Sequence, residues 1–159
     1  MTTLISILGL LLVGALAIAG IVVGGMRAKW PPLMEAIRRL SRSMNSKQIE
    51  TAGQPGADAA ILRHVGRSSG TAYATPLAIE PTEDGFVIAL VYGERTQWLK
   101  NVLAAGSAEV VKEGQTYPVD RPTVVPLAEL DDYFGPNDRR VSSLIGVQDG
   151  LRLYHADHD

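Results

Sequence analysis

A cationic segment bracketed by two glycines carries the residues best suited to chemistry. Arg67, Ser68 and Ser69 lie between Gly66 and Gly70. Glycine permits a tight turn that brings backbone N–H groups to one point, and an arginine with two hydroxyls can complete an anion site there. We expect this segment to bind a phosphate or a carboxylate.

The elements on both sides of this segment have the character of strands. Ala60 to Val65 is predicted to be one strand, and Leu77 to Glu80 a second. A phosphate loop of the βαβ type needs a helix directly after its glycines, which the sequence does not offer here. The sequence therefore indicates an anion site on a β scaffold.

Other reactive side chains give no catalytic or metal assignment. The chain has no cysteine, and no Ser-His-Asp order or paired carboxylates can be argued from its spacing. His64 is interpreted as a structural or surface histidine. Tyr92 either ends a buried strand or donates a hydrogen bond or a proton in a site. Metal-capable side chains from His155 to Asp159 are interpreted as part of a disordered tail, so no metal is predicted.

An uncharged segment from Leu4 to Gly25 predicts a membrane anchor. At about 1.5 Å per residue it is long enough to cross a hydrocarbon core of about 30 Å. A cleaved signal peptide is the alternative, because Ala17-Ile18-Ala19 resembles a cleavage site, but no Lys or Arg precedes the segment.

The positive charges that follow the anchor predict its orientation. They are Arg27, Lys29, Arg38, Arg39, Arg42 and Lys47. The positive-inside rule then places the C-terminal domain of a single-pass cell-membrane protein in the cytoplasm. Gly20 and Gly24 could pair two membrane helices in a homodimer, although small residues are common in any such helix.

Apolar residues at helical spacing predict an amphipathic helix between Leu33 and Met44, with arginines on its other faces. This helix could lie on anionic headgroups or pack on the following domain. The net charge of −2 argues against a nucleic-acid partner. We divide the chain into an anchor (1–26), a basic helix with a linker (27–56) and a folded domain (57–159).

The domain is predicted to be mainly β. Phe86 to Tyr92 is a nearly continuous apolar run and predicts a central strand, and Glu113-Gly114 predicts a hairpin turn. Thr96 and Gly106 bound a predicted helix whose buried stripe is Trp98, Leu99, Val102 and Leu103. Two short helical patterns follow, over 127–134 and 139–146. About five strands with few helices indicate a small barrel rather than a doubly wound parallel sheet.

Four motifs follow one another through this domain. They are Val65 to Gly70, Thr75-Pro76-Leu77, the apolar strand ending at Tyr92-Gly93, and Trp98-Leu99-Lys100-Asn101. Their order resembles the deazaflavin-dependent nitroreductase family, which are split β-barrel oxidoreductases that use coenzyme F(420). The resemblance covers roughly residues 58 to 125 and leaves out the anchor.

The resemblance implies a set of residues around the coenzyme. Its anionic tail would meet the Gly-Arg loop, and its ring would lie between the barrel wall and a substrate pocket. The family usually carries a lysine where Ser68 stands. The residues implied are Gly66, Arg67, Ser68, Ser69 and Gly70 at the tail, with Lys100 as a further cation, Tyr73, Thr75, Pro76 and Leu77 along the wall, Leu90, Val91, Tyr92 and Gly93 at the ring edge, and Trp98 and Asn101 closing the site.

The function implied is transfer of a hydride from reduced coenzyme F(420) to an apolar acceptor such as a quinone or a nitro compound. FMN is a less favoured cofactor. Three alternatives remain at this point: a non-catalytic deazaflavin or flavin carrier, an FMN- or haem-binding protein on the same barrel, and a module that binds lipid surfaces.

Overall fold

The computed structural model describes residues 2–37 and 49–156, and its first element is helix α1 over Thr2–Arg27. Between Leu10 and Arg27 the mean hydropathy is 2.1, and none of this window is buried. By length and composition α1 can cross a membrane, a property that a signal sequence shares.

A sharp turn follows α1. Lys29 adopts a positive φ of 48°, and the N–H of Trp30 donates to the carbonyl oxygen of Gly25 at 2.9 Å. Residues 31–37 form helix α2, which buries Met34. The rest of the predicted amphipathic helix, with Arg38, Arg39 and Arg42, lies outside the described residues, as does Lys47.

Seven strands form one antiparallel sheet with the order β2-β1-β5-β6-β7-β4-β3. Strand β6 pairs with β5 through its first half and with β7 through its second half, with a register shift between Asp120 and Thr123. A long strand with such an irregularity bends, and the sheet curls into a half-barrel. The predicted split β-barrel is confirmed. The strands are β1 (Ala60–Val65), β2 (Ala72–Leu77), β3 (Glu80–Pro81), β4 (Gly85–Ala89), β5 (Ser107–Lys112), β6 (Gln115–Pro126) and β7 (Asp149–His155).

Helix α3 (Gln97–Ala105) packs against β1, β5 and β6. It begins after Thr96 and ends at Gly106, whose φ of 71° is left-handed, as predicted. Leu99 and Val102 are fully buried, but Leu103 is 43% exposed and Asn101 is buried in its place. The predicted stripe was therefore wrong at one position, because α3 turns Asn101 toward the β1–β2 loop.

Two further helices follow β6 along the chain. A 3-10 helix covers Leu127–Tyr133, and helix α4 covers Pro136–Ile145. The core between the sheet and α3 contains Leu62, Phe86, Ile88, Val110, Val119, Leu151 and Leu153, together with the two buried residues of α3. This packing fixes the position of α3 relative to β1. It therefore also fixes the contacts between residues at the two elements.

The second strand differs from the prediction. It begins at Ala72, directly after the glycine loop, and ends at Leu77, while residues 80–81 form the separate strand β3. Pro76 was interpreted as the start of a strand, yet it lies inside β2 opposite Ile61. This is tolerated because β2 is an edge strand, where a missing N–H can face away from the ladder.

The other corrections concern β4 and β7. β4 ends at Ala89 rather than Tyr92, and it lies next to the edge strand β3 rather than at the centre. β7 was not predicted, and His155, which was assigned to a disordered tail, ends this strand with its ring 5.3 Å from that of Phe86. The sequence prediction gave more weight to the position near the chain end than to the alternation of Leu151 and Leu153 with other residues, which is typical of a strand.

Candidate functional site

An open cavity of about 1140 Å³ lies between the β1–β2 hairpin, the β4–α3 connection and α4. Fourteen of the sixteen residues singled out from the sequence line it. They are Gly66, Arg67, Ser68, Ser69, Tyr73, Thr75, Pro76, Leu77, Leu90, Val91, Tyr92, Gly93, Trp98 and Asn101. Their role in binding a coenzyme stays a prediction, but the fold brings them to one place.

The other two residues lie elsewhere. Gly70 is at the outer end of the loop, and Lys100 is on the exposed side of α3, and neither lines the cavity. Within the ranges that the structure describes, no group of three or more His, Asp or Glu side chains could hold a metal ion.

The geometry of the loop favours glycine at both of its ends. The N–H of Gly66 donates to the carbonyl oxygen of Thr71, and that of Gly70 donates to the carbonyl oxygen of Gly66, each at 2.8 Å. Gly70 has a φ of 67°, which side chains disfavour. A Cβ atom on Gly66 would lie 2.6 Å from Ser69 Oγ. The loop is therefore a closed turn.

The turn changes how an anion could be bound. The N–H groups of Gly66 and Gly70 bond within the loop, and that of Arg67 donates to Asn101 Oδ1 at 3.2 Å. These three N–H groups are therefore engaged within the protein. The side chains of the loop that can bind an anion are the Arg67 guanidinium and the hydroxyls of Ser68 and Ser69.

Asn101 fixes the direction of Arg67. Its buried Oδ1 also accepts a hydrogen bond from Arg67 Nη1 at 2.9 Å, so backbone and guanidinium converge on one oxygen. With Oδ1 facing two donors, the amide NH2 must face the third partner, His64 Nδ1, at 3.3 Å. The network thus assigns the orientation of the amide.

His64 is the third residue of this hydrogen-bond network, after Arg67 and Asn101. Since Nδ1 accepts from Asn101, Nε2 carries the proton and donates to Thr75 Oγ1 at 3.1 Å. Burial lowers the pKa of His64 below its usual value of 6.5, which favours the neutral ring that this arrangement needs. The ring also stacks on Tyr73, with centroids 5.6 Å apart.

His64 was left off the predicted site, although β1 contains a signal for it. Ala60, Leu62 and His64 alternate with more exposed residues and are buried on one face of the strand. Period-two alternation therefore places His64 inward beside Leu62, which excludes a surface histidine.

A tight turn shapes the opposite wall. The N–H of Val91 donates to the carbonyl oxygen of Ala89 at 3.0 Å, and that of Gly93 to Leu90 at 2.8 Å, with Gly93 at a φ of 70°. This turn ends β4 and presents residues 90–93 to the cavity. Trp98 and Asn101, one helical turn apart on α3, face the same space.

Several lining residues were missed from the sequence. Arg95 adds a second cation, and α4 adds Asp138, Val141, Ser142 and Ile145. A helix was predicted near α4, but nothing local indicates that it lies across the barrel from β2. This placement arises from tertiary packing.

The cavity suits a ligand with one anionic end and one flat apolar body. Arg67 and the serine hydroxyls stand at the loop, whereas Leu77, Ile88, Leu90 and Trp98 supply apolar surface. Charged donors recognise phosphates and carboxylates, while apolar walls exclude water from a ring. This donor set fits a deazaflavin with an acidic tail.

Comparison with solved structures gives similarities of fold at low identity. A structure described as an F420-H2 dependent reductase is 14% identical, with 62% of this chain and 94% of that chain covered and a TM-score of 0.46. The heme storage protein HutZ from Vibrio cholerae is 11% identical, with 65% and 84% covered and a TM-score of 0.46. Neither likeness carries a functional conclusion.

Comparison with sequence families gives a direct match. No curated protein matches the chain. The model of the F420H(2)-dependent quinone reductase family matches residues 36–148, which include the loop, the network and the whole of α4. This confirms the resemblance to the deazaflavin-dependent nitroreductases and the dependence on coenzyme F(420). The chain is therefore an oxidoreductase that belongs to the F420H(2)-dependent quinone reductase family.

Proposed function

We propose that the protein is a membrane-anchored reductase in which a hydride passes from reduced coenzyme F(420) to a lipid-soluble acceptor. A quinone is the favoured acceptor, and an apolar nitro compound is a second one. The observation that carries this proposal is a single cavity in which an oriented cation, Arg67, stands at one end of a largely apolar wall.

The loop would hold the anionic tail of the coenzyme. A guanidinium has five N–H donors, and the bond to Asn101 uses one of them. Ser68 and Ser69 can add hydroxyl donors, and Arg95 provides a second cation in place of the lysine that the family usually carries at Ser68. A hydrogen bond to a charged group contributes about 1.5–3 kcal/mol.

The apolar wall would orient the ring and exclude water. Leu77, Leu90 and Trp98 face the cavity from β2, the turn after β4, and α3. When bound, the reduced deazaflavin supplies the hydride, so no nucleophile from the protein is required. The residues of the chain bind, position and desolvate, and fixing both reactants at short range accounts for a large part of such catalysis.

The anchor would supply the acceptor. We propose that α1 spans the cell membrane with the domain on the cytoplasmic side, following the positive charges after the segment. The proposed organisation is an anchor over 1–26, a juxtamembrane part over 27–56 and a catalytic domain over 57–159. A site tethered at the bilayer meets lipid-soluble molecules at a high effective concentration.

The test is equilibrium binding to the full-length protein in lipid nanodiscs. Oxidised coenzyme F(420), FMN and haem are titrated separately, and tight binding of F(420) is expected. Arg67→Ala should weaken F(420) binding by about 1.5–3 kcal/mol. Preference for FMN or haem, or no binding of F(420), would contradict the proposal.

Arg63→Ala is the matched control. Arg63 lies four residues earlier on β1, is exposed, and pairs with Glu109 on the outer face at 3.5 Å. It removes the same charge without touching the cavity, so its F(420) affinity should equal that of the parent protein. Equal losses for the two arginines would mean that Arg67 acts only through net charge.

A further inference from the structure

The C-terminal end of α4 is held at the end of α1. Arg27, the last residue of α1, donates from Nη1 to the carbonyl oxygens of Ser143 at 3.4 Å and Leu144 at 3.2 Å. Gly146, which ends α4 with a φ of 73°, approaches the backbone of Arg27 so closely that a Cβ would lie 3.4 Å from its Cα. A cation at this position also complements the dipole of α4.

The outer face of α4 has exposed apolar side chains with a cation beside them. Val141 and Leu144 are each 54% exposed and lie three residues apart, so they share one face. Trp30, just beyond α1, is 52% exposed. Arg140 is exposed and lies four residues before Leu144, on the same side of the helix. Exposed apolar side chains with adjacent arginines are typical of helices that lie in a membrane interface.

We propose that α4 lies in the membrane interface, with Val141 and Leu144 at the boundary of headgroups and acyl chains and Arg140 at anionic phosphates. The bilayer is the favoured occupant because Arg27 joins α4 to the end of the apolar helix. If α1 spans the membrane, its end brings this face of α4 to the lipid surface. The inference rests on the proposed anchor.

This placement also gives the acceptor a route. Val141 is exposed and also lines the cavity, and Ser142 and Ile145 line it from the same helix. One side of α4 therefore faces the cavity while another faces lipid. The cavity then opens toward the bilayer, and a lipid-soluble acceptor enters past Val141 rather than through the aqueous phase.

A first experiment uses the absence of native cysteine. Leu144→Cys is labelled with an environment-sensitive fluorophore in the full-length protein, in vesicles of phosphatidylcholine and phosphatidylglycerol. Gln115→Cys, exposed at the β5–β6 turn, is the control. The label at residue 144 should shift to the blue and be quenched by shallow spin-labelled lipids, whereas the control label should be quenched by aqueous iodide. Iodide quenching equal at both sites would overturn the proposal.

A second experiment measures the route with Leu144→Glu, because Leu144 does not line the cavity. With a membrane-embedded quinone the rate of oxidation of reduced F(420) should fall roughly tenfold, as expected when one buried leucine anchor is lost. With a short-chain water-soluble quinone the rate should not change. Equal effects on the two quinones, or no effect on either, would contradict the route.

The control for this variant is Leu103→Glu on the exposed side of α3, which should change neither rate. The two proposals fail in different ways. If F(420) does not bind, the proposed function fails, yet the fluorescent labels still report whether α4 meets lipid. If F(420) binds normally but the label at residue 144 remains in water, only the inference about α4 fails.

Discussion

Replacing Asn101 by alanine tests the network that orients the cation. The change removes the oxygen that accepts from Arg67 N at 3.2 Å and from Arg67 Nη1 at 2.9 Å, and it removes the NH2 group facing His64. The charged bond is worth about 1.5–3 kcal/mol and each longer neutral bond about 0.5 kcal/mol. Because the exposed guanidinium regains water, we expect the free energy of unfolding to fall by about 2–4 kcal/mol.

The same variant should also bind coenzyme F(420) more weakly. With its partner removed, Arg67 samples other rotamers, and ordering such a side chain on binding costs about 0.5–1.5 kcal/mol. Unfolding is followed by the fluorescence of Trp98 in guanidinium chloride, with Trp30→Phe as the background. Coenzyme titration is made where the variant is fully folded.

Asn101→Asp separates orientation from simple loss of packing. An aspartate keeps an oxygen for Arg67 but turns an acceptor toward His64 Nδ1, and its negative charge would raise the pKa of His64. A raised folded-state pKa gives stability that is present below the unfolded value of about 6.5 and is lost as the pH rises through the folded value. Alanine and aspartate variants with equal stability at every pH would refute the assigned network.

Three further predictions follow from burial and backbone geometry. In the parent protein burial lowers the pKa of His64. The stability that the neutral ring contributes is therefore complete above about pH 6.5 and is lost as the pH falls through the folded-state pKa. In His64→Gln the unfolding midpoint should depend less on pH across this range. Gly85→Ala should lower the free energy of unfolding by at least about 3 kcal/mol, because its Cβ would meet the carbonyl oxygen of Leu153. Gly106→Ala, which has open space but a φ of +71°, should lower it by about 1–2 kcal/mol. Thermal unfolding of both variants checks this ranking. Leu99→Ala should lower the free energy of unfolding by about 2–5 kcal/mol, measured in guanidinium chloride, and a smaller loss would mean that α3 is not packed on the core.

The elements with local signals were predicted well. Helix α3 begins directly after Thr96 and ends at the left-handed glycine Gly106, so both predicted ends are correct, although the Thr96 side chain makes no capping hydrogen bond. The turn at Glu113-Gly114 has positive φ angles of 52° and 72°, which suit the two-residue hairpin that was expected. Such features depend on a few neighbouring residues.

The elements that depend on distant pairing were predicted poorly. Pro76 can lie inside β2 only because β2 is at the edge of the sheet. Nothing in the sequence of residues 72–77 indicates this edge position. β7 pairs with β4 and β6, which precede it by more than twenty residues. Its pattern becomes decisive only when those partners are known.

In the candidate site, too, local features were predicted and contacts between distant residues were not. Arg67 and Asn101 were both selected through the order of motifs, but their contact joins residues 34 positions apart and depends on α3 packing against β1. His64 could have been found from its alternation with Leu62. The contribution of α4 to the cavity could not have been, because it depends on tertiary packing, including the contact of α4 with α1.

We propose that the cavity holding Arg67 uses reduced coenzyme F(420) to reduce a lipid-soluble quinone. The most direct measurement is stopped-flow oxidation of reduced F(420) by the full-length protein in nanodiscs that contain a menaquinone analogue. We predict one quinone reduced for each coenzyme oxidised. At limiting coenzyme the rate should fall in Arg67→Ala but not in Arg63→Ala, and it should recover as the coenzyme approaches saturation. Bound coenzyme that is never oxidised by the quinone would show a carrier and contradict the account, as would equal rates for the parent protein and Arg67→Ala at limiting coenzyme.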